Sequence, residues 1–166
     1  MWGVGTRLVT AYDQPALGGV YKLAALRGPA GWEYRIKLSE EPVKVSNPGV
    51  QQVRRHADPA GRLLGDLIYE EGLGLHGAGA RVDAAGEFAP PAGASVEDLL
   101  VPVLRGGAPV YLPPPLDEVR ARTQAQLQRL DPAVRRFDAP ASYPVALDRP
   151  LADLKARLMA EARRER

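Results

Sequence analysis

The chain has 166 residues, enough for one domain with its own core. Hydrophobic residues make up 45% and charged residues 25%, the balance of an ordinary globular protein, and the formal net charge is +2. The absence of cysteine excludes disulfides and thiolate metal sites, and two histidines, His56 and His76, are too few for a histidine-rich one.

No apolar run approaches the ~20 residues of a membrane span, and no signal-peptide pattern precedes the first motif. The expectation is therefore a cytoplasmic protein with no membrane partner. The pI of about 9.0 comes from arginine, with 18 Arg against 4 Lys. This basic excess suits phosphate-bearing ligands without requiring nucleic acid.

Residues 1–18 read as loop and turn, opening on Gly3-Val4-Gly5-Thr6. The runs 20–26 (VYKLAAL) and 32–39 (WEYRIKLS) read as strands of a hairpin joined by RGPAG. The second alternates, with Trp32, Tyr34, Ile36 and Leu38 on one side and Glu33, Arg35 and Lys37 on the other. Period two predicts one buried and one solvated face, with Trp32 and Tyr34 in the core. After the connector EEPVKVSNPG, QQVRRHA and RLLGDLIYE flank DPAG as a second hairpin. Residues 72–95 read as exposed loops around a short strand near Arg81, and LLVPVLRGG with PVYLPP as a short strand pair.

Helices come only then. The spacing of Leu116, Val119, Leu127 and Leu130 predicts one over 116–130, behind Pro113 to Pro115. DPAVRRF suits a helical turn with Asp131 as N-cap and Pro132 at the first position. Leu151, Leu154 and Leu158 predict a last helix over 150–162. The fold class is α+β: an antiparallel β-rich segment followed by two amphipathic helices. Each helix needs an apolar partner surface, either the β-block or another part of a larger protein.

Several segments carry a resemblance in order: Gly3-Val4-Gly5-Thr6, Pro15, Val20-Tyr21-Lys22-Leu23, Lys37-Leu38-Ser39-Glu40, Lys44 and Pro48-Gly49. With LLVPVLRGGAPVY, LDEVRARTQAQLQRL and YPVALDRPLADLKARL, they make the chain resemble the C-terminal part of nicotinate phosphoribosyltransferase. The resemblance covers essentially the whole chain. It implies the end of an α/β barrel with a phosphate loop over 1–18, a β-rich, sandwich-like C-terminal domain over 19–112 and a helical segment over 113–166. The implied reaction joins nicotinate and phosphoribosyl pyrophosphate into nicotinate mononucleotide for NAD biosynthesis, coupled to ATP, with Mg²⁺. The implied partner is a second copy in a homodimer or a complementing N-terminal part.

The family's phosphorylated histidine, its carboxylate-binding arginine and most ribose contacts lie upstream of the matched segments. No residue here is therefore assigned to catalysis, and His56 and His76 match nothing catalytic. The chain looks like the terminal third of the enzyme. The expectation is that Met1 lies inside a longer frame or begins one piece of a split gene, and that the isolated chain is inactive.

Glycines let backbone amides approach an anion closely, so Gly3, Val4, Gly5 and Thr6 are the candidate phosphate loop; a plain tight turn is the other reading. Lys22, Lys37 and Lys44 are three of only four lysines. In related enzymes lysines of this region approach pyrophosphate or ATP, whose charge they neutralise. The other reading is a solvated face, above all for Lys37. Arg54 and Arg55, near Gln51 and Gln52, either hold phosphate by their forks or guard a strand edge. Asp13 either fixes its loop or meets Mg²⁺ through water. Asp66, Glu70 and Glu71 have no visible partner and read as a solvated face. The terminal ARRER reads as a frayed helix end.

Two further readings remain open. A small basic β-domain holding nucleic acid draws on the arginines and the Arg54/Arg55 pair, but only 6% of residues are aromatic and no stacking motif interleaves with basic residues. A non-catalytic partner subunit of a complete enzyme is the other.

Overall fold

The structure, a computed structural model, describes residues 21–41, 44–82 and 86–164 together with Gly5 and Gly19. The first hairpin pairs β1 (Ala25–Gly28) with β2 (Gly31–Tyr34) antiparallel across Pro29-Ala30. Its strands are shorter than the sequence suggests, and they form a separate two-stranded ribbon. Alternation continues past the ribbon: Tyr34, Ile36 and Leu38 are half-buried, while Glu33, Arg35 and Lys37 are exposed. Trp32 departs from the expected core. It is 47% exposed, with the Arg27 guanidinium over its ring at 5.8 Å. A two-stranded ribbon cannot bury a face by itself.

The main sheet begins with β3 (Gln51–Ala57) and β4 (Leu63–Glu70), paired antiparallel. Their DPAG connection is the turn its residues predict. Asp58 accepts the Arg62 amide on its carboxylate at 2.8 Å and the Gly61 amide on its carbonyl at 2.9 Å. Next come β5 (Gly79–Arg81), β6 (Glu87–Phe88) and β7 (Ser95–Asp98), the first at the position expected near Arg81. The short pair β8 (Leu104–Arg105) and β9 (Ala108–Pro109) turns at Gly106-Gly107 and stays exposed.

The sixth strand of the sheet, β10 (Val145–Asp148), stands where sequence periodicity shows nothing. Spatial order is β6-β5-β10-β4-β3-β7. β10 runs parallel to β4 and antiparallel to β5, so the sheet is mixed rather than purely antiparallel. Four residues are too few to show a period. At the β5–β10 pairing, Gly79 faces Asp148, and a Cβ there would run into the Leu147 carbonyl. The close approach of two backbones requires glycine.

Two helices complete the fold. α1 (Leu116–Arg129) follows the proline run, with Asp117 and Glu118 favourable in its first turn. Its expected apolar stripe is not packed: Leu116, Val119 and Leu127 are exposed and no residue of the helix is buried. Polar ties hold it, including Arg129 Nε donating to the Gly61 carbonyl at 2.8 Å. Asp131 then caps a hydrogen-bonded turn, accepting the Ala133 amide at 2.8 Å. α2 (Arg149–Arg164) starts directly after β10 and packs on β4, β5 and β10. Its stripe behaves as spaced: Leu151 and Leu154 are buried and Leu158 half-buried. With Leu67, Ala146 and Leu147 they make the core.

Candidate phosphate-binding site

Of the candidate phosphate loop, Gly3, Val4 and Thr6 lie outside the described residues, as do Asp13, Pro15 and Val20. Gly5 is exposed, and a Cβ there would meet nothing within 4 Å.

The Pro48-Gly49 motif has a clear structural cause. Gly49 has φ +88°, and a Cβ would collide with the Glu70 side chain. Its amide donates to the Ala24 carbonyl at 2.9 Å, which also accepts the Arg35 amide at 2.8 Å. Glu70 is 1% exposed, and its carboxylate accepts the Val50 amide at 3.2 Å and the Leu73 amide at 2.9 Å. It is a buried brace, not part of the solvated face the sequence suggests. Beside it, burial and the Glu70 charge push the Tyr34 hydroxyl pKa up. Glu71 is exposed, as expected.

The chain preceding Pro48 gathers the lysines. Lys22 Nζ donates to the Lys44 carbonyl at 2.7 Å. Lys44 Nζ pairs with Glu41 at 2.6 Å, exposed on both sides. Lys37 is exposed, and its backbone exchanges bonds with Ser46: its amide donates to Ser46 Oγ at 2.8 Å and its carbonyl accepts the Ser46 amide at 3.2 Å. From α2, Lys155 Nζ reaches the same loop, donating to Asn47 Oδ1 at 2.8 Å and the Val45 carbonyl at 3.3 Å. Lys22 and Lys155 thus bring their ammonium groups to one stretch, Lys44–Asn47, which contains Lys44 and which Lys37 meets only through its backbone. The sequence marks Lys22, Lys37 and Lys44 for anion binding but not Lys155. Lysine scarcity is the signal that points to it, since Lys155 is the fourth of four.

The arginine pair is engaged otherwise. Arg54 and Arg55 stand next to each other on β3 and face carboxylates directly across the ladder, Arg54 opposite Asp98 and Arg55 opposite Asp66. Both pairs are bidentate, at 2.7 Å twice for Arg54 and at 2.9 and 2.8 Å for Arg55. The hydrogen bonds from Arg54 hold the Asp98 carboxyl below its usual range. Asp66 also accepts the Tyr143 hydroxyl at 3.0 Å, and burial with the Asp66 charge pushes the Tyr143 phenol well up. Asp66 is therefore a buried, partnered carboxylate rather than a solvated one. β3 is interior, with β7 outside it, so Arg54 and Arg55 do not guard an edge.

Between α1 and the β3–β4 hairpin lies an open cavity of about 590 Å³, walled by Leu63, Val119, Leu127 and Leu130. The Arg55–Asp66–Tyr143 cluster forms part of its wall. These polar groups already satisfy one another, which leaves no nucleophile–base pair there. His56 is buried on β3 with Nδ1 unpartnered and its ring edge-on to Phe88 at 6.0 Å. His76 takes part through its backbone, which donates to Asp148 at 2.9 Å. Among the described residues no three His, Cys, Asp or Glu side chains gather as a metal-ligand set. No described helix is long and apolar enough to cross a membrane.

A family model described as the nicotinate phosphoribosyltransferase C-terminal domain matches residues 50–155. The chain is 40% identical over 162 residues to nicotinate phosphoribosyltransferase of Mus musculus, covering 95% of this chain and 29% of that protein. It is 33% identical over 152 residues to the Bacillus subtilis enzyme of the same name, covering 89% and 31%. The fold is similar to the crystal structure of human nicotinic acid phosphoribosyltransferase, with TM-score 0.57, 29% identity, and coverage of 78% of this chain and 27% of that one. Mixed sheet, helices and matched span together define a phosphoribosyltransferase C-terminal domain. The chain belongs to the nicotinate phosphoribosyltransferase family. It spans about three-tenths of the length of the curated relatives it matches.

Proposed function

We propose that this chain acts as the C-terminal part of a nicotinate phosphoribosyltransferase of NAD biosynthesis. In that reaction the nicotinate nitrogen bonds to ribose C1 as the C1–oxygen bond to pyrophosphate breaks. The chain's contribution is to hold phosphate-type anions. Gly3 to Thr6 supply backbone amides, and Lys22 and Lys44 supply charge where the leaving pyrophosphate or ATP phosphates gather it. Lys37 is the weaker candidate, since it sits on the solvated side of its segment. The barrel end over 1–18, the β-rich part over 19–112 and the segment over 113–166 serve that role together. ATP coupling, Mg²⁺, the groups that react with nicotinate, and a second copy or N-terminal part belong to the assembled enzyme, which works in the cytoplasm.

The observation that carries this reading is the convergence of the Lys22 and Lys155 ammonium groups on the loop that carries Lys44, in a chain of this family. The nucleic-acid reading loses its main support, because both Arg54 and Arg55 are held bidentate by carboxylates. The test is an assay with nicotinate, phosphoribosyl pyrophosphate, ATP and Mg²⁺. The assembled enzyme, this chain with the remaining part of the enzyme, forms nicotinate mononucleotide, and the chain alone forms none. Turnover by the chain alone would place the chemistry here and overturn the reading.

A further inference from the structure

Lys155 is not among the lysines the sequence marks for anion binding, and it comes from a different part of the chain. It stands in α2, next to the buried Leu154, so its stem leaves the core and its ammonium surfaces at the loop that carries Lys44. There, among the described residues, it donates to neutral oxygens, Asn47 Oδ1 and the Val45 carbonyl. Lys22 likewise donates to a neutral oxygen, the Lys44 carbonyl. Among the described residues neither ammonium has a carboxylate partner. Burial, and then the Lys22 charge, depress the Lys155 pKa below the ordinary lysine range.

An ammonium half-buried beside a second positive charge, as Lys155 is beside Lys22, gains from an anion that neutralises both. Lys44 differs from them in already having a carboxylate partner, Glu41 at 2.6 Å. After its two bonds Lys155 keeps one ammonium proton to donate, and Lys22 keeps two.

We infer that Lys22 and Lys155 together form a seat for a phosphoryl anion, with Lys155 an anion-binding residue supplied by the last helix. The inference rests on the proposed function for the identity of the anion, a pyrophosphoryl or nucleotide phosphate group. It joins the end of the chain to the loop that follows the first hairpin. A compact anion at this seat would bridge the two ammonium groups while each keeps its bond to a backbone carbonyl of the loop, Lys22 to Lys44 and Lys155 to Val45.

The plain alternative is that Lys155 only ties α2 to the loop, and the test separates the two. In the assembled enzyme, binding of inorganic pyrophosphate and, in a separate arm, of ATP is measured by calorimetry. The variants are Lys155→Met, Lys155→Arg, Lys22→Met and Asn47→Ala. Lys155→Met and Lys22→Met are expected to weaken binding at least about tenfold, the loss of one charge-assisted contact. Lys155→Arg and Asn47→Ala stay within about threefold, because the charge remains. Losses confined to one arm support the seat and identify its occupant. If both methionine variants bind within threefold of the parent in both arms, the seat does not exist. Asn47→Ala binding as weakly as Lys155→Met overturns it too, since a structural tie accounts for that result. Lys22 is exposed, so Lys22→Met keeps the test decisive should Lys155→Met fold poorly. Formation of nicotinate mononucleotide by the parent enzyme is scored separately, so failure of the seat is distinguishable from failure of the proposed function.

Discussion

At the residue scale, the charged side chains that matter for stability lie inside the sheet. Asp66 receives two bonds from Arg55 and one from Tyr143, and its side chain is only 10% exposed. Removing one member of a buried pair strands the other, which costs about 3–5 kcal/mol. Arg55→Ala is therefore expected to lower the urea midpoint sharply. Tyr143→Phe, which removes one hydrogen bond to a charged group, costs about 1.5–3 kcal/mol. Equal, small losses for both would show that the cluster is solvated.

Two residues contribute to the acid limb of stability in separate windows. Burial depresses the His56 pKa below 6.5, with the Arg54 charge a second cause. The unfolded chain then binds the proton first, so stability falls as pH drops below about 6.5. His56→Leu is expected to abolish that slope in pH-dependent melts. Asp98 has the same sign in a lower window. Its folded pKa lies below 3.8, so its contribution is complete above that value and is lost as pH falls through the folded pKa. Asp98→Asn removes only this second step.

At the scale of elements, the two helices divide sharply. α2 buries Leu151 completely against the sheet, so Leu151→Ala is expected to cost about 2–5 kcal/mol. α1 buries nothing, so Val119→Ala should change the stability of the chain by no more than about 0.5 kcal/mol. Denaturant melts of the two variants side by side decide the matter, and comparable losses would contradict the packing described. Gly79→Ala tests the β5–β10 junction. A methyl group would drive into the Leu147 carbonyl, so the variant should lose amide protection across Gly79–Arg81 and Val145–Asp148 together.

At the scale of the whole molecule, exposed apolar side chains concentrate in one long segment. Leu100, Val101, Val103, Leu104, Val110 and Leu112 are each at least half exposed, and Leu116 on α1 continues the series. A surface of this kind invites association. Sedimentation of the isolated chain should show concentration-dependent self-association that co-expression with the rest of the enzyme suppresses. A strictly monomeric chain at high concentration would contradict this.

The amino-acid sequence by itself determined the local features. DPAG specified its turn through the Asp58 carboxylate, the Leu151–Leu154–Leu158 spacing specified α2, and the prolines before Leu116 specified where α1 starts. The order of motifs also determined the family. These properties are legible because they depend on neighbours within one turn or one hairpin. Tertiary structure alone decided that Val145–Asp148 is a central strand, that Asp66 and Glu70 are buried, and that Trp32 is not. It alone brought Lys155 across the fold to the loop of Lys44. Pairing, burial and convergence of charge depend on residues distant in sequence, and no local pattern records which of them will meet.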